Sequence, residues 1–194
     1  MKLSIDLIGK SSEKWITTVM NDFDSFLQDH ANCERKASAM ALSFIAKYPD
    51  RTEIIPELIE IAVEELEHFK SVYEIMEARS IGLPAQMGED LYVKDLLKFC
   101  RSGREERFMD RLLLASIVEC RGAERFRLIC EALENGKLKD YYHLLWASEA
   151  KHGHIFVSMA LNYFEEKDVY KRLEEFNQQE ARVLAGLPLK AALH

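Results

Sequence analysis

Turn-making residues are so sparse in this 194-residue chain that it must fold as a few long elements. Glycine (8) and proline (4) together supply 12 residues, about half the combined share of an ordinary globular protein. A sandwich or barrel needs many more tight connections than that. What lies between the sparse breakers repeats its apolar residues at helical spacing. The first such segment starts near Ser11-Ser12-Glu13, runs to about Lys47 and is closed by Tyr48-Pro49-Asp50, because proline disfavours helix in the residue before it. The second runs from about Thr52 to Arg79, with Pro56 tolerable in its first turn. Gly82, Pro84 and Gly88 mark a loop, and a short helix is expected over Asp90 to Cys100. A third long helix spans about Arg104 to Glu134 and stops at Asn135-Gly136; a fourth runs from about Leu138 to Glu165. A fifth covers Asp168 to Ala185, with Asp168 as its N-cap and Gly186-Leu187-Pro188 as its stop. The first four are roughly 40–55 Å long at 1.5 Å per residue. Helices of that length in one domain lie side by side, so the expectation for residues 1–194 is a single all-α domain built as a four-helix bundle. A short helix would sit in the connection between helices 2 and 3, and an extra helix at the C-terminus.

Composition excludes several classes. The net charge of -7 argues against a strongly basic nucleic-acid coat and allows only a local basic patch. The longest stretch without Asp, Glu, Lys or Arg runs from His152 to Phe164, short of the roughly 20 apolar residues of a membrane span, so no membrane partner is expected. Met1 to Lys10 has neither a long apolar core nor a small-residue cleavage pattern, so no secretory signal is expected. Cys33, Cys100, Cys120 and Cys130 include no C-x-x-C pair, which suits a reduced, cytoplasmic protein.

Each of the four long helices carries an apolar stripe, and each stripe is interrupted by glutamate near the middle of its helix. Glu34 interrupts the first, Glu65 and His68 the second, Glu119 the third, and Glu149 and His152 the fourth. A buried, uncompensated carboxylate costs several kcal/mol, so four on core faces need positive charge. Two divalent metal ions supply it, and glutamate oxygens with neutral imidazole nitrogens suit iron or manganese. At i and i+3, the two side chains of Glu-x-x-His share one helix face. One Glu from each of two helices and a Glu-x-x-His from each of two others is the ligand pattern of ferritin-like carboxylate proteins.

A single Glu-x-x-His carries no information; the arrangement does. Glu34 precedes Glu65 by 31 residues and Glu119 precedes Glu149 by 30, with offsets of 85 (Glu34 to Glu119) and 84 (Glu65 to Glu149) between the pairs. The chain reads as two helical hairpins, each carrying Glu and then Glu-x-x-His. Neighbouring groups sort by angle at about 100° per residue. Glu64, Glu67 and His154 fall off the ligand face, and Glu124 is the alternative ligand on the third helix. His30, one turn before Glu34, either lines the metal pocket or is a satisfied core histidine. Tyr142 and Tyr163 read as packing groups. Ala31, Ala37, Ser38, Ala41 and Gly122-Ala123 either open a substrate space or bring helices close.

A dimetal carboxylate site binds and reduces dioxygen, which leaves storage, peroxide reduction and C–H hydroxylation open. Rubrerythrins usually carry a rubredoxin-like cysteine quartet, and none is present here. Arg104, Arg107, Arg111, Arg121 and Arg125 fall within an arc of about 100° on the third helix, bordering the Glu119 face. Such a stripe suits a polyanionic substrate gripped by its phosphates, or else a solvated face paired with Glu105, Glu106 and Asp110.

The stretches Asp29–Ala37, Glu64–Phe69, Glu119–Phe126 and Ser148–His152 resemble the tRNA-(2-methylthio-N6-isopentenyladenosine) hydroxylases, MiaE, over nearly the whole chain. The resemblance implies a ferritin-like, non-haem diiron monooxygenase that hydroxylates the isopentenyl side chain of a modified adenosine beside the anticodon. It implies two iron ions held by Glu34, Glu65, His68, Glu119, Glu149 and His152, with manganese or a mixed pair as the alternative. It also implies tRNA as substrate and a reductase or ferredoxin as electron donor. The other readings are a diiron oxygenase or peroxidase acting on a small molecule, and an iron-binding or storage protein.

Overall fold

The computed structural model describes residues 6–86 and 88–194; the first five residues of the Met1–Lys10 reading lie outside them. The described residues form seven α-helices, one 3-10 turn and no strand. They gather into two compact units, one of residues 6–16, Glu89–Leu189 and His194, the other of Thr17–Gly88 and Lys190–Leu193.

Helix α1 spans Glu13–Asn21 and α2 spans Phe23–Lys47. The single helix expected from Ser11 to Lys47 is therefore two. Asp22 breaks it by acting as N-cap of α2, its carboxylate accepting the Ser25 amide at 3.3 Å. A 3-10 turn at Thr52–Ile54 leads into α3, Ile55–Ala78, with Pro56 in its first turn as expected. Helices α2 and α3 form the hairpin of the second unit. Their close approach is visible at Ser38, whose hydroxyl donates to the Ala62 carbonyl at 2.7 Å. At the open end Arg79 bridges to Asp24 at 3.1 Å.

In the first unit, α4 spans Leu91–Leu97 behind an Asp90 cap, which accepts the Val93 amide at 3.0 Å. Helix α5 spans Arg104–Ala132 and α6 spans Lys137–Leu161. The intervening Gly136 has φ of 153°, a conformation that disfavours any side chain. Helix α7 covers Glu166–Gly186 and starts behind Glu165, so Asp168 lies within its first turn and is not the cap. There its charge still complements the helix dipole.

Two devices tie this unit together. Ser116 of α5 donates to the Gly153 carbonyl of α6 at 2.7 Å. The Arg172 guanidinium of α7 lies 4.3 Å from the Phe99 ring centroid and 4.7 Å from that of Phe176, and it donates to both oxygens of the buried Asp110 at 2.9 Å. Gly153 sets the α5–α6 spacing, since a Cβ there would stand 2.8 Å from Cys120 Sγ and 3.4 Å from the Ser116 carbonyl. Gly153→Ala is expected to lower stability by about 1–3 kcal/mol in a denaturant titration, and Cys120→Ala in the same chain to restore most of that.

Candidate metal centre

Each hairpin brings its own Glu and its Glu-x-x-His together. In the α2–α3 hairpin the ligand atoms of Glu34, Glu65 and His68 lie within 4.8 Å of one another. His68 Nδ1 stands 3.5 Å from Glu65 Oε2 and 3.7 Å from Glu34 Oε2. Both carboxylates are buried, and the His68 side chain is 18 % exposed. In the α5–α6 hairpin Glu119, Glu149 and His152 form the matching cluster, again within 4.8 Å, and all three are buried. His152 Nδ1 is 3.9 Å from Glu149 Oε2. These positions follow from the stripes: each glutamate occupies an apolar register mid-helix, so the turns on either side carry it inward.

The electrostatics of the first cluster fit a cation. Burial alone would raise the Glu34 carboxyl, yet it is held well below the usual carboxylate range by bonds to His30 and His68. His68 is pushed up to about 10: burial opposes its charge, and the carboxylates of Glu34 and Glu65 overcome that opposition. Buried carboxylates require positive charge, and a metal ion held between them would supply it. The donors are carboxylate oxygens and imidazole nitrogens, the set suited to iron or manganese. Beside the second cluster, burial and then the Glu119 charge push the Cys120 thiol up to about 11, so it stays a neutral packing group.

His30 is the residue whose role periodicity left open. It is buried, and its Nε2 lies 2.6 Å from Glu34 Oε1. It therefore orients a ligand candidate, as the outer partners of metal-binding side chains do. Glu124, the alternative on the third helix, is engaged elsewhere: it accepts the Ser11 amide at 2.9 Å, the Ser11 hydroxyl at 2.7 Å and Arg121 at 2.8 Å. His154 and Glu67 are exposed, and Tyr142 is buried against Phe126.

The arginine arc does not survive as one surface. Arg121 is fully buried, donating to Glu180 and Glu124 at 2.8 Å and to the Gly9 carbonyl at 2.8 Å. Arg125 is buried too, bonded to the Ser11 hydroxyl at 3.1 Å and lying 4.6 Å from the Trp15 ring centroid. These two are removed from any phosphate-binding role because the N-terminal segment and α7 cover that part of α5. Arg104 is exposed, and Arg107 and Arg111 are half-buried. No described helix is long and apolar enough to cross a membrane, and none of the four cysteines forms a disulfide.

Comparison with known proteins converges on one family. The profile of the tRNA-(MS[2]IO[6]A)-hydroxylase (MiaE) family matches residues 4–194. A tRNA 2-(methylsulfanyl)-N(6)-isopentenyladenosine(37) hydroxylase of Pseudomonas putida is 32% identical over 187 residues, covering 91% of this chain and 90% of that one. The protein of the same name from Salmonella typhimurium is 30% identical over 132 residues, 68% of this chain and 48% of its own length. Among solved structures, a protein with aldehyde deformylating oxygenase activity from Synechococcus superposes with a TM-score of 0.91 at 29% identity, over 97% of this chain and 94% of that chain. The fold class is the expected all-α, ferritin-like one.

Proposed function

Since this chain belongs to the MiaE family of tRNA hydroxylases, we propose that it hydroxylates the isopentenyl side chain of 2-methylthio-N6-isopentenyladenosine next to the anticodon of tRNA. The net reaction consumes one O2, two electrons and two protons, inserts one oxygen into a C–H bond and releases water. A reductase or a ferredoxin would deliver the electrons, and a tRNA substrate goes with a cytoplasmic setting.

The observation that carries the reading is the doubled triad, a buried Glu and Glu-x-x-His gathered within 4.8 Å in each hairpin. On this reading Glu34, Glu65, His68, Glu119, Glu149 and His152 hold two iron ions, with manganese or a mixed pair fitting the same donors. Bound iron would supply dioxygen activation at neutral pH. The chain's own residues do the rest. His30 holds Glu34 in position through the 2.6 Å contact. The apolar residues above and below each triad, Ile61, Val72, Leu112 and Phe156 among them, are buried and keep water from the reacting carbon. Gly122 leaves room beside Glu149, because a Cβ there would come no closer than 3.9 Å to Glu149 Cγ. That space suits a prenyl methyl group.

Protein loaded with Fe(II) and given reductant, oxygen and prenylated tRNA is expected to yield the hydroxylated nucleoside, read by mass spectrometry of the digested tRNA. Absence of product from iron-loaded protein would overturn the reading. The likeness to the Synechococcus oxygenase supports a second reading, a diiron oxygenase on a small molecule. Arg107 and Arg111 separate the two. Under the tRNA reading they contact phosphates together with Arg104, so Arg107→Glu with Arg111→Glu should weaken tRNA binding at least tenfold and flatten its salt dependence. Activity insensitive to that double reversal would favour the small-molecule substrate, and iron uptake far beyond two per chain would favour storage.

A further inference from the structure

The α2–α3 hairpin exposes an apolar groove on the side turned away from its ligands. Leu42 of α2 and Ile59, Val63 and Leu66 of α3 are 47–55 % exposed. Among the described residues, no helix but α3 leaves more than one large apolar side chain exposed. On a wheel of about 100° per residue, Leu42 and Ala39 stand about 80° and 140° round α2 from Glu34, and the three α3 residues about 100–160° round from Glu65. The Ser38–Ala62 hydrogen bond fixes how these arcs meet. Ser38 and Ala62 stand about 40° and 60° from the same two glutamates in the same sense, so both arcs lie just beyond the line where the helices touch. In that antiparallel register Leu42 is level with Ile59, and Ala39 with Val63. A strip of this kind covers about 300–400 Å², the size at which an exposed apolar patch marks an interaction site.

We infer that a second copy of this chain covers the groove, α2 of each copy lying antiparallel on α3 of the other about a twofold axis parallel to the helices. A twofold interface must complement itself, and the flanks of this one do. Helix α2 carries Arg35, Lys36 and Lys47 and no acidic residue between 35 and 47. Helix α3 exposes Glu60, Glu67 and Glu74, with Lys70 paired to Glu74 at 3.8 Å. Lys36 is level with Glu64 in its own hairpin, so it meets Glu60 and Glu67 of the other copy. Pairing α2 with α2 would set like charges together, which the arrangement about the parallel axis avoids. Two helices about 36 Å long and 10 Å wide offer about 700 Å² per copy, close to the roughly 800 Å² per partner of a stable interface. The small side chains of Ala39 and Ala46, both exposed, let the helices approach. Glu34 and Glu65 point to the opposite side, so each copy keeps its own metal centre whatever substrate it takes.

Sedimentation equilibrium of the iron-loaded protein between about 1 and 100 μM should show a dimer. Leu42→Glu with Val63→Glu changes only exposed positions, so helicity and iron content should stay as in wild type while dimer affinity falls at least a hundredfold. Val63→Glu alone is the milder variant should the pair fail to fold, and it should weaken the dimer at least tenfold. Lys36→Glu should weaken it about tenfold, and adding Glu60→Lys and Glu67→Lys should restore it. A wild-type monomer at 100 μM overturns the inference, as does a dimer that survives Val63→Glu unweakened. Affinity that falls further in the triple charge exchange overturns the pairing of α2 with α3.

Discussion

Glu119→Ala is expected to abolish two-iron loading and, with it, hydroxylation, lowering turnover by at least a hundredfold, whereas Glu124→Ala should load two irons. The two glutamates are five residues apart on α5, about 140° round the helix, so only Glu119 falls on the apolar stripe and Glu124 is the alternative. Glu119 is buried in the α5–α6 cluster with Glu149 and His152, so its loss removes a negative donor where no other carboxylate of the helix points. Glu124 spends its oxygens on Ser11 and Arg121. Iron analysis and the optical spectrum of each loaded variant check the pair, and two irons in the Glu119 variant with fewer in the Glu124 variant would reassign the ligand.

Arg121→Ala is expected to cost about 3–5 kcal/mol of folding stability, because it strands buried carboxylates that its guanidinium now balances. Arg121 and Glu180 are both fully buried and 2.8 Å apart, and the Tyr92 hydroxyl donates to the same Glu180 oxygen at 3.0 Å. Arg121 thus joins α5 to α7 and, through Gly9 and Glu124, to the N-terminal segment. The expected fall in Tm is on the order of 10 °C for a chain of this size, read by calorimetry. Arg121→Met with Glu180→Leu should cost less than the single change, since the fully buried Glu180 carboxylate is no longer left without its partner. The pH dependence has a definite sign. Burial would raise the Glu124 carboxyl, but the Arg121 charge and the Ser11 bonds hold it below its ordinary value. That contribution is present above the unfolded carboxylate pKa and is lost as pH falls through the folded one. Without Arg121 the carboxyl rises, so the deficit of the variant should shrink as the pH is lowered from 7 toward 5.

The doubled Glu and Glu-x-x-His pattern and the long helices were legible in the chain because both follow from local rules. Apolar periodicity sets which face of a helix turns inward, and a glutamate in an apolar register goes inward with it. Gly136 and Asn135 mark a stop because their backbone preferences are local too. The break at Asp22 was missed because the apolar period runs through it unbroken, and a single cap signal is weaker than that period. The fate of the arginine arc was not local at all. Arg104 and Arg121 are the same residue type on the same helix, yet one is exposed and one fully buried. The difference is Glu180, 59 residues further along, and Gly9, 112 residues back. Which charges a helix keeps at its surface depends on what packs over it, and only the tertiary structure decides that. Periodicity could place His30 on an inward face, but only the 2.6 Å contact with Glu34 makes it a positioning residue.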